Sequence, residues 1–97
     1  MIIKDYLEPN EGFSQTVIVK TGSFKTIYIS GQIGDGLNLE AQAIVAFQNL
    51  EKQLKNSNAT FKDVVKMNTY IVNFNPEIDL PIFRKVRKNF LGNENYP

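Results

Sequence analysis

The chain has 97 residues and contains no cysteine and no histidine. The first absence excludes disulfides, a thiol nucleophile and thiolate-bound metals. The second removes the commonest general base, the commonest metal ligand and the usual switch near neutral pH. Nucleophiles activated by a histidine are therefore impossible within the chain. Any proton transfer falls to Asp, Glu, Lys, Tyr, the backbone or water. A strong charge of one sign is also lacking, since 11 Lys and Arg face 10 Asp and Glu for a net +1. Such a balance gives no overall pull towards nucleic acid or acidic membranes. No run approaches the roughly 18 apolar residues of a membrane span. The start, Met1 to Asp5, has no long apolar stretch of the kind a secretory leader carries, and a cytoplasmic location is expected.

What is present reads as one domain over residues 1–97, of ordinary apolar content at 42%. A short apolar start leads into Glu8-Pro9-Asn10-Glu11-Gly12, which reads as a loop. Thr16 to Lys20 is β-branched, and Phe24 to Ser30 alternates, with Phe24, Thr26, Tyr28 and Ser30 on one side. With Thr21-Gly22-Ser23 between them, these predict a hairpin. Gly31, Gly34 and Gly36 break the second strand and suggest positive φ. Asn38 is a candidate N-cap. From Leu39 the period becomes helical, with an apolar stripe of Ala43, Phe47, Leu50 and Leu54. Thr60 to Asp63 loosely resembles a capping box. Val65, Met67, Thr69 and Ile71 then alternate and predict a strand. Asp79 can cap a second helix with Pro81 in its first turn, Leu80, Phe83, Val86 and Phe90 as its stripe, and Gly92 beyond its end. The order expected is strand, strand, helix, strand, helix. One more strand would be needed to return the chain to the sheet.

Four stretches, in order, resemble the RidA/YjgF family, also called the endoribonuclease L-PSP family. They are Ile29-Ser30-Gly31-Gln32-Ile33; Gln42-Ala43 with Ala46, Asn49-Leu50 and Leu54; Asn58-Ala59 with Asp63 to Lys66 and Tyr70; and Phe83 to Arg87 with Phe90. The resemblance implies an α+β, chorismate-mutase-like two-layer fold. It also implies a homotrimer in which sheets form a central barrel and clefts lie between subunits. The best-known members hydrolyse reactive 2-imino acids: an arginine holds the substrate carboxylate, a positioned water attacks the imine carbon, and a glutamate helps orient that water. By that resemblance the arginine follows a proline aligned with Pro97, so that arginine, the glutamate and the last strands would lie past Pro97. Phe13 stands where a tyrosine is usual, Gly34 where a proline is, and Phe83 near a family asparagine.

The expected cleft residues are Phe13, Ser30, Gly31 and Gln32, with Phe83 as a further candidate. No catalytic residue, metal or cofactor is assigned. The expected ligand is a small carboxylate, and the enzyme reading is a 2-iminobutanoate/2-iminopropanoate deaminase-like hydrolase. A second class of function is a non-catalytic metabolite sensor of the same fold. A third is weak RNA binding through Arg84, Lys85, Arg87 and Lys88, but no aromatic platform accompanies that run, which reads better as a solvated helix face. Nucleic acid and membrane are thus not expected as partners. The spacing of Gly31, Gly34 and Gly36 matches no dinucleotide or phosphate-loop fingerprint.

Overall fold

The computed structural model describes residues 1–93 and 95–97. It is an α+β arrangement in which an antiparallel sheet of three strands, in the order β1-β2-β3, is bonded on one side to the first of two helices. The strands are β1 (Ile2–Asn10), β2 (Phe13–Thr21) and β3 (Phe24–Ile29). Helix α1 (Leu39–Asn56), a single 3-10 turn (Phe61–Asp63) and helix α2 (Pro76–Leu91) follow.

The expected hairpin is β2–β3, in which Ile18 faces Ile27 and Val17 faces Tyr28. The expected loop at Glu8 and Pro9 is instead the end of β1, which pairs Leu7 with Thr16 and Pro9 with Ser14. Proline is tolerated there because β1 is an edge strand, and an edge residue can lack an N–H on its open side. Only Glu11 and Gly12 turn the chain, with Gly12 at φ +80.

Both helices end where local chemistry dictates. Asn38 accepts from the Ala41 N–H at 2.9 Å and caps α1. Asn75, not Asp79, caps α2, and its side chain accepts from the Glu77 N–H at 3.2 Å. Asp79 closes the reciprocal bond by accepting from the Asn75 N–H at 2.8 Å. The helix thus begins with Pro76 in its first turn, while Pro81 lies deeper, inside the helix. Gly92 stops α2 at φ +85 and donates to the Lys88 carbonyl at 2.8 Å. The 3-10 turn carries a complete capping box in which Asp63 accepts from the Thr60 N–H at 2.9 Å.

The strand expected over Val65 to Ile71 does not form. Residues 64–71 have no ladder partner, and Val65 is 91% exposed. Met67 and Ile71 instead pack on the helix layer. Alternation describes how side chains divide between two faces; it does not supply a neighbouring strand.

The helix layer has its own aromatic core. Phe47 of α1 stacks on Phe90 with centroids 5.3 Å apart and planes 14° apart. It also meets Phe83 at 6.0 Å and, edge to face, Phe61 at 6.2 Å. Ala43, Phe47, Phe83 and Val86 are the buried members of this cluster. Phe47→Ala removes the ring that all three others touch. The loss should cost about 3–5 kcal/mol, read as a fall in the urea midpoint with an unchanged denaturant slope.

Candidate functional site

The direction of β2 decides which residues look towards the helices. Thr16 is fully buried, and its hydroxyl donates to Gln53 Oε1 of α1 at 2.9 Å. Ile18 is buried beside it in the same row. Successive strand residues point to opposite faces. Phe13, Gln15, Val17 and Val19 therefore lie on the face away from α1. The register sets Tyr6 and Tyr28 on either side of Val17. Ile2 and Phe24 likewise flank Thr21. This second face is largely apolar and bare: Phe24 is 80% exposed, Ile2 64%, Tyr28 61% and Tyr6 59%.

Four of the five expected cleft residues gather at one end of that sheet. Phe13 opens β2 and is half exposed. Ser30 follows β3; its N–H donates to the Gln15 carbonyl at 2.9 Å and its hydroxyl to the Ser14 carbonyl at 2.7 Å. Gln32 Nε2 donates to Gln15 Oε1 and to the Ser30 carbonyl, both at 2.9 Å. Gly31, between them, is exposed, and a Cβ there would meet nothing within 4 Å. This end is a rigid polar corner with an aromatic ring beside it. Gln15 was not among the residues singled out from the sequence. Nothing local marks a glutamine in a strand as special; its partner lies 17 residues on.

Phe83 sits elsewhere. It is buried in the helix layer against Phe47 and lines a groove of about 500 Å³ between residues 69–74 and α2, with Leu80 and Arg87. The expected basic run is broken as a surface. Arg84, Lys85 and Lys88 are exposed, but the Arg87 guanidinium lies over the Phe83 and Tyr96 rings at 5.5 and 5.6 Å.

The glycine-rich stretch after Ser30 does not use positive φ, which occurs only at Gly12, Gly22 and Gly92 among the glycines. Its glycines serve close approach. A Cβ on Gly34 would fall on the Gln42 carbonyl, and one on Gly36 would come within 2.7 Å of the Ala41 methyl. The loop is tied down by Gln42 Nε2, which donates to the Gly36 carbonyl at 3.0 Å, and by Asn49 Nδ2, which donates to the Ile33 carbonyl at 3.0 Å. The loop that follows the Ser30–Gln32 corner is thereby held against α1.

On the helix side, Glu8 is the acceptor that ties β1 to α1. Gln53 Nε2 donates to it at 2.9 Å and Asn56 Nδ2 at 3.3 Å, with the Lys52 ammonium at 3.5 Å. The Gln53 hydrogen bond first, and then Lys52 and Asn56, hold its carboxyl below the ordinary value of 4.5 against a smaller desolvation effect. This carboxylate lies on the α1 side of the sheet, away from the polar corner. Among the described residues no group of His, Cys, Asp and Glu side chains could hold a metal ion. The corner can bind and orient a ligand through amides, hydroxyls and backbone groups; none of Phe13, Gln15, Ser30, Gly31 and Gln32 carries an acidic or basic side chain.

The whole length of the fold has a counterpart among known proteins. The family model described as Endoribonuclease L-PSP matches residues 3–97. A 2-iminobutanoate/2-iminopropanoate deaminase of Dermatophagoides farinae is 35% identical over 91 residues, an alignment covering 86% of this chain and 66% of that protein. The chain thus spans just under two thirds of that relative's length. No solved structure matches.

The depressed carboxyl of Glu8 has a consequence for stability. An unfolded-state pKa near 4.5 above a lower folded one means that Glu8 stabilises the fold above that value and loses its contribution as pH falls through the folded one. Glu8→Gln should therefore show a smaller drop in urea midpoint than the unsubstituted chain between about pH 6 and about pH 3.

Proposed function

The chain belongs to the endoribonuclease L-PSP family, the RidA/YjgF group, and on that footing we propose that it binds small 2-imino or 2-oxo carboxylic acids in clefts between copies of itself. The observation that carries this reading is the bare apolar face of the sheet, which meets the Phe13, Ser30, Gly31 and Gln32 corner at one end. Exposed apolar surface of this extent marks a contact surface rather than a solvated one. The symmetric way to cover a sheet face that every copy carries is to pack copies around a closed axis. A homotrimer closes three such faces on one another. Each corner then lies at a seam, with Phe13 as an apolar wall and the backbone of Ser30, Gly31 and Gln32 offering hydrogen bonds.

The reaction proposed is hydrolysis of a reactive imine, in which water adds to the imine carbon and ammonia leaves. The name of the Dermatophagoides farinae relative supports that substrate class. The residues of the corner position such a ligand. Activation of the water requires groups beyond them, because amides and hydroxyls do not titrate near neutral pH. This last point favours a second reading, a protein of the same fold that binds the metabolite and does not turn it over.

Solution mass and an imine-hydrolysis assay on one sample separate the two. A three-subunit mass with ammonia release from 2-iminobutanoate supports the enzyme. A three-subunit mass with binding of 2-oxobutanoate and no turnover supports the sensor. A single-subunit mass with neither removes the interface cleft altogether. Tyr28→Glu places a charge in the middle of the bare face, where the isolated chain is already solvated. The variant should keep its folded spectrum and lose the three-subunit mass in sedimentation.

A further inference from the structure

We propose that Gln15 is a ligand-contacting residue of the polar corner, and that Gln32 sets its direction; the proposal rests on the cleft reading above. Gln15 lies on the same face of β2 as Phe13, two residues along, and so faces the same space. The hydrogen bonds at Gln32 decide which way its amide is turned. Gln32 donates to the Ser30 backbone carbonyl, an atom that can only accept, so the atom of Gln32 in that bond is its NH2. The same NH2 donates to Gln15, and the Gln15 atom receiving it must be the carbonyl oxygen.

The Gln15 NH2 group therefore points away from Gln32. Among the described residues it donates to nothing, and it is not sealed in the interior, since no side-chain nitrogen or oxygen is both buried and unpartnered. Two donor hydrogens of fixed direction thus project on the face of β2 that Phe13 shares. Their chemical complement is a carbonyl or carboxylate oxygen. Free rotation of the amide is suppressed by the bond to Gln32, so the donors are preorganised and binding does not have to order them. Gln32, by contrast, is a positioning residue that acts through Gln15.

The test is a titration of the 15N-labelled chain with 2-oxobutanoate, the stable oxygen counterpart of the imine, followed by NMR. The expected result has two parts. The Gln15 side-chain NH2 signal shifts together with the backbone signals of Ser30 and Gly31. Gln15→Glu, which still accepts from Gln32 but cannot donate, weakens binding about tenfold or more. If the Ser30 and Gly31 signals shift while the Gln15 NH2 does not, and Gln15→Glu binds as tightly as the original, the inference is overturned and the cleft stands. If none of Phe13, Ser30, Gly31 and Gln32 responds, the cleft reading fails and this inference falls with it. Should Gln15→Glu not fold, the side-chain NH2 signal of the unsubstituted chain decides alone.

Discussion

One hydrogen bond organises much of this molecule: the Thr16 hydroxyl donating to Gln53 in the buried seam between sheet and helix. A buried hydroxyl without a partner costs free energy, so the bond holds α1 at one position along β2. Gln53 passes the restraint on, since its amide donates to Glu8 and so ties the edge strand β1 to the same helix. Lys25 repeats the arrangement from β3 by donating to the Ser57 carbonyl at 2.7 Å. All three strands are thereby attached to one helix on one side. The other side of the sheet is met by Gln32 at one end, while Phe24, Ile2, Tyr28 and Tyr6 on it stay exposed. The apolar face of Tyr6, Val17, Phe24 and Tyr28 follows directly from that one-sided attachment.

The aromatic cluster of Phe47, Phe61, Phe83 and Phe90 is a second centre. It joins the two helices and the 3-10 turn, largely independently of the sheet. A chain of this size has a modest core to divide. Splitting it between a polar-bonded seam and a four-ring cluster leaves each part small. The segment 64–71 illustrates the cost. It contributes Met67 and Ile71 to the cluster, yet exposes Val65 and, at 90%, Tyr70.

The polar corner is tied to β2 and, through the loop beyond it, to α1. Ser30 and Gln32 are bound to β2 through Ser14 and Gln15, while the loop beyond them is laced to α1 through Gly36 and Ile33. Gly34 and Gly36 allow that lacing because a side chain at either would collide with α1. The corner is therefore held from two directions.

The helices and the hairpin were legible in the residues alone. Ala43, Phe47 and Leu54 repeat at helical spacing, Asn38 and Gly92 carry end chemistry, and Thr21-Gly22-Ser23 lies between two β-branched runs. Those are local properties, written within a few positions of where they act. Family membership was legible too, from four ordered stretches. Only the tertiary structure decided the rest. It showed that Pro9 ends an edge strand rather than starting a loop, and that the alternation over Val65 to Ile71 has no strand to pair with. It assigned Gly34 to close packing rather than to positive φ, and separated Phe83 from the corner. It also aimed the Gln15 amide through a residue 17 positions away. The physical reason is the same in each case: whether an extended segment finds a ladder, or a polar group a partner, depends on groups distant in sequence that only folding brings together.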